Sequence, residues 1–435
     1  MLEAAPLKVL LLGATGFIGR HVAARLLTDG HFVTAGVRDI ASIKRRFPEI
    51  NAVQLDLNRM KSPDDWLPLL AVIDAVVNCA GILQSGAGQS ARDIHTTAPV
   101  ALFAACERLQ IGRVVQLSAI SADTDAGTEY ALTKKAADDD LKGRKLPWVL
   151  LRASLVYASG SYGGTSAIRG LAGFPFVTPL VGDGDQRFQP IHADDLAHAI
   201  SACLTRDDLC QQTLEPCGPE TLTLREIVQQ TRTWLDLPTV PVLKMPERLV
   251  RIAAKVGDVA GTGPIRTTSI DQMTYGNIGD PIAFQQIIGF RPRTMAEAFQ
   301  SAPSHVQDRW HSRLFFLRPA LTIALVALWA GSGLAGLLNP PADEGRIMQA
   351  LHLPMSWGSP IGIAFSLLDI ALAVGIAMGR AGRLLAYAQI VIVFGYTVGI
   401  GFADPKLWAD PYGALLKNIP VLAAMIIWSA LLDER

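Results

Sequence analysis

Two side chains that could move a proton lie one helical turn apart in the segment Tyr130-Ala-Leu-Thr-Lys134. At this spacing, the phenol and the ammonium share one face of a helix. A tyrosine oxygen with a depressed pKa can pass a proton to or from a substrate oxygen, and a nearby Lys⁺ favours the phenolate. Ser118 ends an apolar run twelve residues before Tyr130, and its hydroxyl could donate to the same oxygen. These residues predict proton transfer coupled to hydride transfer at the adjacent carbon.

Three glycines suggest where a hydride carrier would bind. Gly13, Gly16 and Gly19 follow a short apolar run at three-residue intervals and precede an amphipathic pattern. This order predicts a strand, a tight turn and a helix start, the context that a nucleotide-binding glycine loop requires. Glycine permits positive φ and a close approach of backbone N–H groups to a pyrophosphate, whose charge also favours the positive end of the helix dipole.

The elements around these residues alternate between strand-like and helix-like patterns. Apolar runs cover residues 8–12, 32–36, 52–55, 75–79, 113–117 and 148–151, and helical patterns cover residues 97–109 and 130–141. This rhythm predicts an α/β fold with a doubly wound parallel sheet of the Rossmann type. The core is expected over residues 7–155, and a smaller lobe that covers the substrate over residues 155–305.

Composition restricts the classes of function. The chain has 435 residues and zero net charge, and half of it is apolar, so nothing favours nucleic-acid binding. Its five cysteines form no CxxC pair and no cluster with histidine at metal-ligand spacing, so we expect reduced thiols and no metal. The apolar run 9–12 is too short for a signal peptide, which predicts a cytosolic N-terminal domain.

The last quarter of the chain is much poorer in charge. Only 14 of the 78 charged residues lie from Leu314 onward. Four segments of about 20 residues or more are almost free of charge, and each could cross a hydrocarbon core of roughly 30 Å. They cover residues 319–342, 358–379, 384–403 and 411–432. The sequence predicts an all-α bundle of four transmembrane helices over 319–432, after a domain at 1–305 and a linker at 306–318.

The charges between these segments predict how the bundle is oriented. Basic residues precede the first segment and fill the second loop, namely Arg309, Arg313, Arg318, Arg380 and Arg383. The first loop carries Asp343, Glu344 and Arg346, and the third carries Asp404, Lys406 and Asp410. By the positive-inside rule, both termini and the second loop face the cytosol. A multi-pass protein of the inner, cytoplasmic membrane is therefore expected.

Several ordered motifs in residues 7–300 give a family resemblance. The segments Gly13-Ala-Thr-Gly-Phe-Ile-Gly19 and Asn78-Cys-Ala-Gly81, with Ser118, Tyr130 and Lys134, resemble the short-chain dehydrogenase/reductase superfamily. Later stretches, Leu151-Arg-Ala-Ser-Leu-Val-Tyr157 and Gln189-Pro-Ile-His-Ala-Asp-Asp195, resemble its extended and atypical, epimerase-like branches.

This resemblance implies roles for individual residues. Ser118, Tyr130 and Lys134 would form the catalytic set. The cofactor would contact Gly13, Thr15, Gly16, Phe17, Ile18, Gly19, Arg38, Asp56, Leu57, Asn78, Ala80, Gly81 and Lys134. Within that set, Asp56 would accept from the adenine amino group, and residues 78–81 would flank the ribose next to the adenine.

Three positions depart from the family pattern, the mildest being Ala158, which stands where a glycine commonly follows the Val-Tyr pair. After the second strand, where an acidic residue would bind the ribose of NAD, the sequence reads Val37-Arg38-Asp39. Arg38 can pair with a 2′-phosphate, which favours NADP(H), while Asp39 keeps NAD(H) open. His95 occupies a place where the family often has asparagine, and either a buried structural histidine or a proton relay fits it.

The membrane segments resemble the DoxX-like family, through Pro411-Tyr-Gly-Ala-Leu-Leu-Lys-Asn-Ile-Pro420 and the four-segment layout. Asp369 and Lys417 are the charges inside predicted spans. Because an unpaired charge in a bilayer is costly, they are expected to face the bundle interior or a partner, although Lys417 could also reach outward. One hypothesis pairs Asp369 with Lys417, near Gln389 and Asn418.

These features favour a membrane-anchored NADP(H)-dependent oxidoreductase at the cytosolic face. A membrane anchor raises the local concentration of a lipid-like hydroxy or carbonyl substrate. An NAD-dependent epimerase or dehydratase stays open, as does a non-catalytic sensor or assembly subunit like the nucleotide-binding accessory subunit of respiratory complex I. Transport or quinone chemistry in the bundle is a further alternative, and the sequence leaves a homo-oligomer open.

Overall fold

The computed structural model describes residues 5–86, 88–260, 266–275, 277–338, 348–349, 354–379 and 382–432. The chain divides into two compact units, Met1–Ser312 and Arg313–Arg435, and each is described by itself.

The first unit is built around a parallel sheet. In chain order, the strands are β1 (Lys8–Leu12), β2 (Phe32–Val37), β3 (Asn51–Gln54), β4 (Ala75–Asn78), β5 (Arg113–Ala119), β6 (Trp148–Ala153), β7 (Val156–Tyr157), β8 (Thr178–Val181), β9 (Arg187–Phe188), β10 (Ile191–His192), β11 (Gln212–Leu214), β12 (Leu222–Thr223) and β13 (Val242–Met245). Seven of them form one parallel sheet in the order β11-β6-β5-β4-β1-β2-β3. The predicted doubly wound sheet is confirmed.

The strand order determines where a ligand can bind. The chain runs outward in one direction from β1 to β3 and then returns to place β4 on the other side of β1. Ligands of open α/β sheets bind in the crevice that this reversal opens at the carboxyl ends of the strands. Gly13 follows β1, and Cys79 to Gly81 follow β4, so the predicted loop lies at this crevice.

Helices cover both faces of the sheet and build the lobe. They are α1 (Phe17–Thr28), α2 (Ile40–Arg46), α3 (Pro63–Leu70), α4 (Ala98–Arg108), α5 (Glu129–Lys142), α6 (Gly164–Ala172), α7 (Ala193–Thr205), α8 (Leu224–Trp234), α9 (Glu247–Ala260), α10 (Thr267–Tyr275), α11 (Pro281–Ile288), α12 (Met295–Ser301) and α13 (Val306–Leu314). A single π-helical turn, Asp93–Thr97, leads into α4.

Alternation along β1 divides the core between the two faces. Val9 and Leu11 pack with side chains of α1 and α7, while Leu10 and Leu12 pack with those of α3 and α4. All four are buried, and each such side chain stabilises the fold by roughly 1.5–3 kcal/mol. A third cluster, formed largely by α6, α8 and α12, is the core of the lobe.

Most of the segment predicted as a linker is folded. Helix α13 lies against α6, where Ser312 donates to the carbonyl oxygen of Arg169 at 2.7 Å and Asp308 pairs with the Arg169 guanidinium at 3.2 Å. Ser312 is buried. Polar contacts with a distant helix, which local composition does not reveal, therefore order this segment.

The second unit is helical, with α14 (Leu317–Leu338), α15 (Gly358–Ala377), α16 (Gly382–Ala403) and α17 (Asn418–Ala430). Three helical segments are long and apolar enough to cross a membrane, at 22, 23 and 22 residues, the second counted from Met355. The loop residues Asp343, Glu344, Arg346 and Arg380 lie outside the described residues, as do residues 339–342 of the first predicted span.

The fourth predicted span is shorter than expected. Helix α17 has 13 residues, about 20 Å at 1.5 Å per residue, so it falls short of a hydrocarbon core of roughly 30 Å. A turn precedes it, in which Asp410 accepts from the backbone N–H of Tyr412 and Gly413 has a φ of +66°. Pro420 cannot donate a backbone hydrogen bond, which suits it to the first turn of α17.

Candidate nucleotide and active site

The glycine loop is shaped by close backbone contacts. A Cβ on Gly19 would lie 2.0 Å from the Gly13 carbonyl oxygen, and one on Gly13 would lie 2.8 Å from the carbonyl carbon of Cys79. Gly13 also has a φ of +78°, which disfavours any other residue. The loop therefore packs directly on the end of β4, with no room for side chains at these two positions.

The same loop leaves helix α1 open to an anion. Gly16 is its N-cap residue and supplies no side-chain cap to the N–H groups of the first turn. These N–H groups and the helix dipole favour a phosphate. The family resemblance implies that Thr15, Phe17 and Ile18 also contact the cofactor here. The Ile18 side chain packs on the core and Phe17 contacts the ring of His21, so the backbone of these two residues is what could bind a ligand.

Arg38 and Asp56 lie at the ends of the neighbouring strands β2 and β3. Asp56 accepts from the side-chain amide and the backbone N–H of Asn58, at 2.9 and 3.0 Å. These bonds, with the charges of Arg59 and Arg38, lower the pKa of Asp56. Leu57 packs against the core.

Asp39, the acidic residue that kept NAD(H) open, has a structural role. It is the N-cap of α2, and its carboxylate accepts from the Ser42 backbone N–H at 3.2 Å. Arg38 beside it is exposed. Arg38 and Asp39 are therefore both exposed at this edge of the sheet.

Asn78 stabilises the segment after β4, which borders the crevice. It is buried, its amide donates to Gln116 at 2.8 Å, and its side-chain oxygen accepts from the Ala80 backbone N–H at 3.1 Å. The part of this segment that borders the crevice is the backbone of Cys79 to Gly81. A Cβ on Gly81 would lie 3.5 Å from His95 Nε2 and 3.6 Å from Lys134 Nζ, so this glycine borders both side chains.

Helix α5 carries Tyr130 and Lys134 on one face, as their spacing predicted. Thr128 caps the helix by accepting from the Ala131 backbone N–H. Lys134 is buried, and its ammonium donates to the Leu117 carbonyl oxygen at 3.2 Å. Lys134 Nζ lies 5.6 Å from the centroid of the Tyr130 ring. The structure thus brings the phenol, the ammonium and Gly81 together at the crevice.

Ser118 makes a different contact from the one expected. Its hydroxyl donates to Asp138 at 2.8 Å, and both residues are buried. Ser118 shares its strand face with Val114, which packs in the cluster that includes residues of α5. Asp138 also accepts from Arg152 Nε at 3.2 Å. The expectation of a serine hydroxyl aimed at the substrate oxygen is therefore wrong for this conformation.

Asp138 also changes the electrostatics of Tyr130. Burial raises the pKa of the phenol, and the charge of Asp138 raises it further. Burial lowers the pKa of Lys134. The expected depressed phenol pKa is wrong, because burial and the charge of the buried Asp138 carboxylate both oppose the phenolate. Tyr130 is a protonated phenol at neutral pH.

His95 lies in the π-helical turn before α4 and has both ring nitrogens occupied. Nε2 accepts from the Ile82 backbone N–H at 3.0 Å, and Nδ1 lies 3.0 Å from the Thr133 hydroxyl. Its ring meets the Tyr130 ring edge-on at 5.5 Å. Burial lowers the pKa of His95 to about 2, so the ring is neutral. This geometry fits the buried structural histidine rather than the proton relay.

Sequence reasoning missed Asp138, and it did not show which helices of the predicted lobe contact the edge of the site. Asp138 continues the four-residue spacing of Tyr130 and Lys134, a signal that could have been recognised. These helices are α9 and α10. Asp258 of α9 accepts from Gln84 at 3.1 Å, in the loop after Gly81, and Gln272 of α10 donates to Thr128 at 2.5 Å, at the start of α5. No local pattern indicates these contacts.

In the second unit, the hypothesis that Asp369 pairs with Lys417 is wrong. Asp369 is buried and accepts from the Ser332 hydroxyl of α14 at 2.7 Å, whereas Lys417 is exposed in the turn before α17. Gln389 is also buried and accepts from the indole N–H of Trp329 at 3.0 Å. Asn418 instead donates to Thr397 at 2.8 Å.

Comparisons with known proteins agree with this two-part architecture. Residues 13–207 match the family described as NAD(P)H-binding, and residues 326–426 match the DoxX-like family. The chain is 24% identical over 323 residues to the mitochondrial NADH-ubiquinone oxidoreductase 40 kDa subunit of Neurospora crassa, covering 72% of this chain and 82% of the relative. It is 26% identical over 321 residues to the chloroplastic divinyl chlorophyllide a 8-vinyl-reductase of Zea mays, covering 71% and 78%.

A solved structure shows the same fold. The UDP-glucuronic acid 4-epimerase of Bacillus cereus, in complex with UDP-glucuronic acid and NAD, superposes with a TM-score of 0.52 at 17% identity, over 71% of this chain and 99% of that one. The matches agree with the predicted combination of an NAD(P)-binding domain and a DoxX-like domain, and the solved structure shares the fold of the first of these. The NAD(P)H-binding family match and the likeness to a reductase agree with the prediction of an NAD(P)-dependent oxidoreductase.

Proposed function

We propose that this fusion of an NAD(P)-binding domain with a DoxX-like domain is a membrane-anchored, NADP(H)-dependent oxidoreductase, with Tyr130 as its proton donor and acceptor. The observation that supports this best is the position of the Tyr130–Lys134 pair. Lys134 Nζ is 5.6 Å from the phenol ring and close to Gly81, at the end of β4. That strand end faces the crevice where the glycine loop would hold the cofactor.

The residues present suit the cofactor. The uncapped first turn of α1 would bind the pyrophosphate, with Gly13, Gly16 and Gly19 leaving room for its approach. Arg38 would pair with the 2′-phosphate, Asp56 with the adenine, and the backbone of Ala80 and Gly81 would border the ribose. When bound, the cofactor supplies or accepts the hydride.

The protein supplies the proton. In a reduction, the neutral Tyr130 phenol donates its proton to the substrate oxygen while the adjacent carbon gains hydride, and solvent then reprotonates the phenolate. Lys134⁺ stabilises the phenolate that forms and would bind the ribose. Ser118 acts indirectly, because its hydroxyl donates to Asp138, whose charge raises the pKa of Tyr130. The raised pKa of Tyr130 keeps the phenol protonated before the reaction.

We propose an amphiphilic hydroxy or carbonyl substrate at the cytosolic face. The basic residues Arg309, Arg313 and Arg318 next to the first span favour a cytosolic location for this end of it. The tether keeps the first unit near the bilayer, where a lipid-like substrate is concentrated.

The test uses the full chain purified in detergent. Mass spectrometry of the co-purified nucleotide identifies the cofactor, and a panel of carbonyl compounds is screened for NADPH oxidation. Tyr130→Phe should lower turnover by about 10²–10⁴-fold while the nucleotide still binds. Tyr162→Phe, an exposed tyrosine in the lobe, is the matched control and should keep full activity. Turnover that survives Tyr130→Phe would contradict the proposal.

A non-catalytic nucleotide-binding subunit is the second candidate. The bond that engages Ser118 with Asp138 favours it, as does the likeness to the Neurospora crassa subunit. It predicts that the chain binds nucleotide with equal affinity with or without the Tyr130 hydroxyl, and that it oxidises NADPH with no compound of the panel.

A further inference from the structure

Helix α9 presents an apolar and basic face to the outside of the first unit. Leu249 and Ile252 are 53% and 60% exposed. Arg248 and Lys255 are exposed one turn before and after Ile252, on the same side of the helix. Among the residues that the structure describes, neither cation has a carboxylate partner within salt-bridge distance.

The opposite side of α9 is fixed to the protein. Ala254 is fully buried. Arg251 bonds to Glu247 at 2.8 Å and to Asp271 of α10 at 3.0 Å, and Asp258 accepts from Gln84 at 3.1 Å. The exposed leucine and isoleucine therefore lie on a helix whose other face is held, rather than on a frayed end.

Apolar side chains flanked by cations without carboxylate partners are typical of a helix that binds a membrane surface. A helix with this pattern lies in the headgroup region of a membrane, with its apolar residues towards the acyl chains and its cations at anionic lipid phosphates. A membrane is close in sequence to this unit, because the first helix that is long and apolar enough to cross one begins at Leu317, shortly after the unit ends.

We infer that α9 docks on the surface of an anionic phospholipid bilayer, the one that holds the second unit, through Leu249, Ile252, Arg248 and Lys255. The docking does not depend on any reaction. It has a consequence that does rest on the proposed function. Because Asp258 of α9 bonds to the loop that follows Gly81, docking would bring the mouth of the site to the membrane surface, where an amphiphilic substrate enters.

The experiment places the full chain in lipid nanodiscs. An environment-sensitive fluorescent amino acid replaces Ile252, or Val72 as the matched control, an apolar residue that is 67% exposed in the loop before β4. Discs contain phosphatidylcholine with or without phosphatidylglycerol, and with or without doxyl-labelled acyl chains. We expect a blue shift and at least about twofold stronger doxyl quenching at 252 than at 72, in the discs with phosphatidylglycerol, since interfacial burial reaches the acyl boundary.

Charge variants test the role of the cations. Arg248→Gln with Lys255→Gln should reduce the quenching at 252 by several-fold in anionic discs, as should 1 M salt, because attraction to anionic lipid is screened. Equal quenching at 252 and 72, or quenching insensitive to both the charges and salt, would overturn the inference. So would a blue shift at 252 that depends on chain concentration in lipid-free detergent, since that identifies a second copy as the partner.

A measurement on the unmodified chain guards against a fluorescent variant that misfolds. Hydrogen exchange of residues 247–260 should slow several-fold when phosphatidylglycerol is added to the discs, while exchange of α3 stays unchanged. Identical exchange of α9 in both lipids would count against docking, whatever the activity of the enzyme.

Discussion

The Ser118 hydroxyl donates a 2.8 Å hydrogen bond to Asp138, a carboxylate with no exposed surface that lies eight residues beyond Tyr130 on the same helix. This contact connects the end of β5 to the electrostatics of the phenol. Asp138 is the charged residue that raises the pKa of Tyr130, in addition to the effect of burial.

We expect Asp138→Asn to move the pH dependence of reduction. The Asp138 charge raises the Tyr130 pKa, so its removal should lower that pKa and shift the alkaline limb of kcat to lower pH. The control is Asp139→Asn, whose carboxylate is half exposed and pairs with Lys135. An alkaline limb that stays in place in Asp138→Asn would show that this carboxylate does not act on the phenol.

The glycine loop should tolerate alanine unequally. Gly19→Ala places a Cβ 2.0 Å from the Gly13 carbonyl oxygen, whereas Gly16→Ala places one at 3.1 Å from the same atom. Forced shifts of a packed backbone cost about 1–3 kcal/mol, so Gly19→Ala should abolish nucleotide binding and lower the Tm, while Gly16→Ala has a milder effect. Nucleotide titration and thermal unfolding measure both. Similar losses in the two variants would contradict this packing argument.

Arg38 should determine the choice of cofactor. Arg38→Ala is expected to weaken NADPH binding by about 10–100-fold, since a hydrogen bond to a charged group contributes roughly 1.5–3 kcal/mol, and to leave NADH binding almost unchanged. Titration with each nucleotide measures the ratio of the two affinities. Arg45→Ala, exposed on the adjacent helix α2, serves as the control. If both nucleotides bind the variant as tightly as the parent, Arg38 is a solvated surface charge.

His95 should make the first unit sensitive to acid. Its pKa falls from 6.5 to about 2 on folding, so below pH 6.5 the unfolded chain binds a proton that the native state does not. Stability is therefore lost as the pH falls below 6.5, at about 1.4 kcal/mol per pH unit for this group. His95→Gln should flatten the decrease in Tm between pH 6.5 and 5, and His305→Gln, at an exposed site, should not. An unchanged slope in His95→Gln would mean that other groups dominate the acid sensitivity.

Local patterns were sufficient for the architecture of the first unit. The alternation of Val9 to Leu12 between two apolar faces, and the glycines at 13, 16 and 19, require a buried parallel strand, a tight turn and a helix, because each is fixed by neighbours in sequence. The same holds for Tyr130 and Lys134, since a four-residue spacing places them on one helical face.

Only tertiary structure decided which groups meet. Asp138, rather than a substrate oxygen, accepts the hydrogen bond of the Ser118 hydroxyl, and Ser332, rather than Lys417, bonds to Asp369. Periodicity assigns a side chain to a face, but the partner across that face depends on how two distant segments pack. The length of α17 follows the same rule, since a turn at Asp410 and Gly413 interrupts a segment that composition alone marks as continuous. The sequence therefore determined the strand, the loop and the helix face, while packing between elements determined the charges and hydrogen bonds that set their chemistry.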